Sequence, residues 1–327
     1  MPLDNAVVTS DLKRAGTLEQ LYPLLNKLNL MAGWNKPEPS LWAEPRKNFV
    51  PFHWRYEDAK IALDAAGRLI NTSLAERRNL LCYNPIPGNF YPTVRTLVAA
   101  YQALLPKERA RWHRHTPNAL RLVLDGPEGT YTMVDGERLP MVPGDVVLTP
   151  NWCWHGHGND GDKAAYWIDF LDVPFVWQLE GMFFEEYGDK TNDDVPDKYE
   201  SPYIFPWKES QKRLAAEKPD PSGRFGRMIE LGNKPAMKTT ALFLHALEMG
   251  RETEPFRTTA HNIYAAVEGT GTSVVDGERF DWKRGDVFCA PAWRRHTHKA
   301  TSDDAVLLRV TDEPVHKALE FLREETH

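Results

Sequence analysis

The stretch Pro150-Asn-Trp-Cys-Trp-His155-Gly-His157-Gly-Asn159, led in by Gly144-Asp-Val146, returns near the C-terminus as Pro291-Ala-Trp-Arg-Arg-His296-Thr-His298, led in by Gly285-Asp-Val287. Pro150, Trp152, His155 and His157 match Pro291, Trp293, His296 and His298 without a gap. Upstream, Val134-Asp-Gly-Glu-Arg138 returns as Val275-Asp-Gly-Glu-Arg279. A self-match this long means the same structural unit occurs twice. Short β-branched and apolar runs, among them Leu120–Leu124, Tyr131–Val134, Val146–Thr149 and Ala164–Ile168, are cut by Asp-Gly, Pro-Gly or Arg-Gly. That punctuation predicts hairpins in an all-β barrel, built once in each half.

In the first half the repeated stretch is preceded by His113-Arg-His115. Side chains alternate across a strand, so residues i and i+2 face the same way and can share one ion. If a later strand comes alongside, His155 could add a third imidazole. Three histidines suit Fe, Zn, Cu or Ni and leave coordination positions for other molecules. A bland alternative is a solvated strand end at His113–His115 and a polar turn at His155–His157; the whole frame from Gly144 to Asn159 argues against it. In the second half, Phe256 and Thr258 stand where His113 and His115 would fall, and His261 aligns with Asn118. Only His296 survives of the trio, so the second barrel is expected to hold no metal.

The rest of the chain reads differently. Leu18, Leu21, Tyr22, Leu25 and Leu28 recur at helical spacing after Thr17, a candidate N-cap, and Asp58–Ile70 also reads as a helix. Residues from about 188 to 225 form a polar, proline-bearing connection with a short helix around Glu209–Glu217, and Pro314–Glu325 reads as an amphipathic closing helix. The expected divisions are residues 1–95, a helical and extended region; 96–187, the metal-bearing barrel; 188–235, the connection; and 236–327, the second barrel with its closing helix.

At 327 residues the chain has room for two barrels, and eleven tryptophans promise aromatic cores. A net charge of −6 without any basic tract argues against nucleic-acid binding. No apolar run is long enough to span a membrane, and Met1-Pro-Leu-Asp-Asn has no secretory signal character. Cys82, Cys153 and Cys289 are odd in number and far apart, so a reducing cytoplasm is expected. Cys153, between two tryptophans, reads as a packed residue rather than a nucleophile.

Together the two histidine motifs resemble those of a cupin barrel, and the duplicated unit makes the expected fold a mainly β bicupin: two double-stranded β-helix (jelly-roll) barrels with helices at both ends. The cupin pattern usually places a glutamate four or five residues after the second histidine. Here those positions are Ala119 and Leu120, which leaves a three-histidine site. The block from Arg111 to Tyr187 further resembles the catalytic half of the gentisate and salicylate 1,2-dioxygenase family. The residues carrying this are His113-Arg-His-Thr116, Trp152-Cys-Trp-His-Gly-His-Gly-Asn159, Ala165-Tyr-Trp-Ile-Asp169-Phe-Leu-Asp-Val-Pro174 and Phe183-Phe-Glu-Glu-Tyr187. Upstream, Ala75-Glu-Arg77-Arg78 and Thr96-Leu-Val-Ala-Ala-Tyr-Gln102 also fit.

That resemblance implies Fe(II) held by His113, His115 and His155, and cleavage of an ortho-hydroxybenzoate by O2 between the carboxyl-bearing and hydroxyl-bearing carbons. It also implies a homotetramer. Gentisate, opened to maleylpyruvate, is the leading substrate, with a substituted salicylate or 1-hydroxy-2-naphthoate as the alternative. Arg121, six residues after His115 on the same strand face, is placed to clamp the substrate carboxylate. Arg77 or Arg78 resembles a second family arginine near the substrate. His157, two residues from His155, is a candidate proton shuttle or hydrogen-bond donor. Asp169 is read as orienting His157, as binding a polar ring substituent, or as a plain strand-end carboxylate. Many relatives carry tryptophan and glycine where this chain has Val98 and Ala100; Val98 should open the pocket, while Ala100 fills a small part of it. Two rivals stand beside this reading: a Zn or Mn isomerase or decarboxylase on the same fold, and a non-catalytic aromatic-acid-binding bicupin.

Overall fold

The structure, a computed structural model, describes residues 5–71, 78–188, 192–232 and 237–326. The chain divides into two compact units, residues 1–45 and 46–327. In the first lie helices α1 (Asn5–Arg14) and α2 (Leu18–Lys27). Thr17 caps α2 as expected, its hydroxyl accepting the Gln20 N–H at 3.4 Å, while Glu19 and Lys27 complement the helix dipole at either end.

The second unit opens with β1 (Phe52–Trp54), α3 (Tyr56–Leu69) and β2 (Arg78–Leu81). The first barrel follows as β3 (Val98–Leu104), β4 (Arg109–His115), β5 (Ala119–Asp125), β6 (Thr130–Val134), β7 (Glu137–Pro140), β8 (Val146–Thr149), β9 (His155–Asn159) and β10 (Ala165–Leu171). Helix α4 (Val173–Gln178) and β11 (Phe184–Glu186) close it, and β12 (Ile204–Phe205), α5 (Trp207–Ala216) and β13 (Arg227–Glu230) lead onward. The second barrel contains β14 (Ala241–Ala246), β15 (Arg257–Thr258), β16 (Asn262–Glu268), β17 (Thr270–Val275), β18 (Glu278–Lys283), β19 (Val287–Ala290), β20 (His296–Ala300) and β21 (Val306–Thr311). Helix α6 (Glu313–Ala318) and β22 (Glu324–Glu325) finish the chain.

Two six-stranded sheets carry the duplication: β12-β8-β5-β10-β3-β2 and β1-β19-β16-β21-β14-β13. The two orders correspond strand for strand, with one exchange. The arm preceding the first barrel sends β1 to the second barrel, where it pairs with β19; the arm preceding the second sends β12 to β8 of the first. Each arm's helix starts on the other barrel's Gly-Asp turn. Asp286 Oδ1 accepts the Tyr56 N–H at 2.8 Å, and Asp145 Oδ1 accepts the Trp207 N–H at 2.7 Å. The preceding glycines are required twice over. Gly144 and Gly285 have φ of +89° and +87°, and a Cβ there would sit 2.6 Å from Trp207 and 2.5 Å from Tyr56.

Alternation sorts every central strand into an outer and an inner face. Outward, Tyr101, Leu120, Leu122, Ile168 and Phe170 meet Leu244, Ile263, Ala265, Leu308 and Val310 in one apolar cluster between the large sheets of the two barrels. Inward, Leu104, Val123, Ala165 and Trp167 form a small cluster inside the first barrel. Leu120→Ala, at a fully buried position of the shared cluster, is expected to cost about 2–5 kcal/mol, read as a lower denaturant midpoint at unchanged slope.

The closing helix is shorter than the sequence suggests. It ends at Ala318, Glu320 takes a φ of +59°, and the chain then extends so that β22 pairs with β15. The same device ends the first half: Glu180 has φ +55°, and β11 pairs with β4. The amphipathic pattern is thus partly that of an extended edge strand. The connection's helix, expected at Glu209–Glu217, is α5. Among the described residues no helix is long and apolar enough to cross a membrane.

Candidate metal centre and active site

Strand β4 brings in His113 and His115, and β9 lies antiparallel beside it with His155 directly opposite His113. Their ring centroids are 4.3 Å apart, and His115 lies 4.8 Å from His155. One ligand atom from each ring falls within 4.8 Å of the others. Arg114, between the two β4 histidines, is on the opposite strand face, stacked over Trp152 and Trp154 and paired with Glu185.

The tautomers are fixed by the backbone. His113 Nδ1–H donates to the Arg111 carbonyl at 3.0 Å, His115 Nδ1–H to Pro117 at 2.8 Å, and His155 Nδ1–H to Cys153 at 2.9 Å. A carbonyl cannot donate, so each Nδ1 carries a hydrogen, and in the neutral ring each Nε2 then keeps its lone pair for an ion. His155 Nε2 is buried without a hydrogen-bond partner. Burial, reinforced by His113, His115 and Arg121, holds its pKa well below the ordinary histidine value, which keeps it neutral. An orphaned acceptor on a neutral imidazole, with two further imidazoles beside it, is what a divalent transition metal requires.

Around the trio, the inner faces of β3, β5, β9 and β10 also carry polar side chains. Arg121 pairs with Asp169 across β5 and β10, Nε to Oδ1 3.1 Å, both fully buried. Arg121 Nη1 donates to Thr149 Oγ1 at 3.1 Å. Asp169 also accepts from Trp167 Nε1 at 3.0 Å and from the Gln102 side-chain amide. His157 Nδ1 meets Thr132 Oγ1 at 3.0 Å, and its ring lies 6.2 Å from that of His155. Val98 and Ala100 are buried on the same face of β3 as Gln102, with Ala100 opposite Asp169. Arg78 is differently employed: it is buried, with Glu108 and the Ile70 carbonyl as its described partners. Arg77 lies outside the described residues. Cys153 has its thiol pushed up to about 12 by burial and Asp135, in keeping with a packed residue.

Sequence reasoning did not single out Gln102, Thr132 or Thr149. Gln102 was findable, since it continues the Val98, Ala100 alternation. Thr132 and Thr149 carried no signal, because a strand threonine is ordinary on either face.

The second barrel has the same frame with other contents. Phe256 lies 4.3 Å from His296, ring to ring, repeating the His113–His155 spacing. Tyr264 occupies the register position of Arg121, and its hydroxyl lies 3.0 Å from His296 Nε2. Burial brings His296 down to about 4. His261 takes over the duty of Asn118, its Nδ1 accepting the Ala292 N–H at 3.1 Å as Asn118 Oδ1 accepts that of Asn151 at 2.9 Å. Among the described residues only His113, His115 and His155 form a metal-competent group.

Two packed double-stranded barrels, one with a three-histidine centre and one without, define a bicupin. The Cupin domain family model matches residues 100–173 and 243–311, one match in each barrel. Gentisate 1,2 dioxygenase 1 of Aquipseudomonas alcaligenes is 34% identical over 94% of this chain and 95% of its own length. A 5-aminosalicylate 1,2-dioxygenase of Comamonas sp is 32% identical, over 95% and 90%. The crystal structure of salicylate 1,2-dioxygenase from Pseudaminobacter salicylatoxidans superposes with a TM-score of 0.86 at 28% identity, covering 95% of this chain and 97% of that one. The chain belongs to the gentisate and salicylate 1,2-dioxygenase family of ring-cleaving oxidoreductases.

Proposed function

We propose that this protein is an Fe(II)-dependent dioxygenase that opens an ortho-hydroxybenzoate, gentisate foremost, between its carboxyl-bearing and hydroxyl-bearing carbons. The observation carrying this is the convergence of three Nε2 lone pairs beside a fully buried Arg121–Asp169 pair. When bound there, ferrous ion supplies a Lewis acid that favours the ionised phenol and couples the electron-rich ring to O2. The chain's own residues do the rest. Arg121, oriented by Asp169 and Thr149, takes the substrate carboxylate; a planar fork suits that geometry. Gln102 fixes the second side of Asp169. His157, turned by Thr132, holds or releases a proton at Nε2 for the substrate hydroxyl. The buried walls of β3 and β10 keep water from the reacting carbons.

Relatives named for gentisate, 5-aminosalicylate and salicylate leave the ring substituent to the pocket wall. Val98 favours a second substrate group, larger substituted salicylates or 1-hydroxy-2-naphthoate, because a valine wall is small. Val98→Trp is expected to lower kcat/KM for the bulkiest accepted acid roughly tenfold relative to gentisate. The supporting measurement is oxygen uptake by the iron-reconstituted protein with gentisate, salicylate, 5-substituted salicylates and 1-hydroxy-2-naphthoate in parallel. Uptake with none of them, despite bound iron, would favour the binding-protein alternative. Zinc- or manganese-dependent turnover without oxygen uptake would favour an isomerase or decarboxylase. A homotetramer and a cytoplasmic location complete the proposal; three unpaired cysteines suit a reducing compartment.

A further inference from the structure

A cavity of about 270 Å³ lies in the seam where the first barrel's lead-in turn meets the second barrel. Arg46, Lys47, Phe49, Arg95, His261 and Ala292 line it, and no carboxylate does among the described residues. Phe49 forms an apolar wall, with the Arg95 guanidinium 4.8 Å over its ring and His261 edge-on at 6.4 Å. Lys47 shares Asp276 with Arg294 at the rim. One further carboxylate, buried Asp312, stands behind His261, accepting its backbone N–H and the Thr96 hydroxyl.

The hydrogen-bond pattern sets the character of His261. Its Nδ1 is an acceptor, occupied by the Ala292 N–H, so Nε2 carries the ring's hydrogen and is a donor. Burial holds the ring below its ordinary pKa, so that donor is present on a neutral ring. Asn118, which does the same backbone work in the first barrel, needs only its Oδ1 for it. Asn118 gives its own side-chain N–H groups to Asp172 and Thr239, whereas the His261 ring belongs to the cavity lining. Two arginines, a lysine shared with Asp276 at the rim, one neutral N–H donor and one aromatic wall are matched to a small, doubly charged anion with some carbon surface.

We propose that this cavity is a binding site for a small dicarboxylate. Cleaving the bond between the carboxyl-bearing and hydroxyl-bearing carbons, with both O2 atoms retained, turns a monocarboxylate into a 2-oxo dicarboxylate: the hydroxyl-bearing carbon becomes the new carboxylate and the other becomes the ketone. The ring-opened product is thus of the class this site takes. That identification of the natural ligand rests on the function proposed above, whereas the site itself does not. Arg95 and Thr96 belong to the Val94–Leu97 turn, and the chain enters β3 at Val98 directly after it. The Arg95 carbonyl also accepts from Gln178 of α4. A dianion held by Arg95 consequently bears on the turn that places the Val98 wall, and product accumulation would slow the enzyme without competing for the metal.

The test is calorimetric titration of maleate into the anaerobic iron-reconstituted protein, into His155→Ala, and into Arg95→Gln/His261→Asn. Asparagine at 261 preserves the acceptor for Ala292, as Asn118 does for Asn151, and neither substitution touches the catalytic residues. Maleate binding is expected to persist in His155→Ala and to weaken at least tenfold in the double variant, whose maleate-free oxygen uptake matches the parent. Arg95→Gln alone, at an exposed position, should weaken binding several-fold and guards against a folding defect in the double variant. Loss of maleate binding in His155→Ala, equal binding in parent and double variant, or no binding to any form would each overturn the proposal. Inorganic phosphate binding tenfold more tightly than maleate would overturn the assignment to carboxylates. None of these outcomes depends on which hydroxybenzoate is opened.

Discussion

His155→Ala is expected to remove bound iron and to lower oxygen uptake by on the order of a thousandfold, equivalent to about 4 kcal/mol of lost stabilisation. His113 and His115 come from one strand and have only each other without the third imidazole, which sits across the β4–β9 pair. The side chain to be removed has its Nδ1 locked on Cys153 and its Nε2 buried without a partner, so it contributes little to holding the barrel together beyond packing. Loss of activity should therefore exceed loss of stability. His296→Ala supplies the comparison. That residue has the same place in the second barrel, but its Nε2 meets Tyr264 and, among the described residues, no metal-competent group surrounds it. It should leave iron content and kcat intact while lowering the melting temperature. Metal analysis and oxygen uptake on both variants decide the matter; iron and activity retained in His155→Ala would refute the assignment.

Arg121→Met is expected to have the second largest effect, lowering kcat/KM by roughly 100-fold or more. It should also cost about 3–5 kcal/mol of stability, because it strands Asp169 as an uncompensated buried charge. The two losses can be separated. In Arg121→Met/Asp169→Leu the buried pair is replaced by apolar side chains, which commonly restores stability. Activity should stay low, since the group that takes the carboxylate is still missing. Arg121→Lys retains the charge without the planar fork, and its effect should appear mainly in KM. Equal recovery of activity and stability in the double variant would make the pair purely structural.

The residues that announce the centre are those whose chemistry is rare and whose spacing is local. His113, His115 and His155 could be found because period-two alternation places i and i+2 together, and the duplicated Gly-Asp, Pro and His frame gave the barrel and its copy. Arg121 and Asp169 were each visible, but their pairing depends on the β5–β10 register, which no local pattern encodes. The fate of Arg78 was equally hidden: one arginine looks like another until Glu108 and the Ile70 carbonyl are seen to surround it. The α6 helix was overestimated because an amphipathic run cannot tell a helix from an edge strand once a left-handed residue such as Glu320 intervenes. The exchange of β1 and β12 left no trace in composition, since both are short strands whose partners lie far along the chain.

That exchange fixes an order of events during synthesis. When Phe52–Trp54 leaves the ribosome, its partner Val287–Ala290 has not yet been made, so the arm must wait for nearly the whole polypeptide to emerge. The first barrel likewise stays open along β8 until Ile204–Phe205 arrives, and its Tyr101–Leu120–Phe170 surface remains uncovered until the second barrel follows. The second barrel thus covers the apolar face that the first, three-histidine barrel would otherwise leave exposed. A nascent chain stalled before residue 287 would present unpaired strand edges and an apolar sheet face, the two hallmarks of a target for quality control.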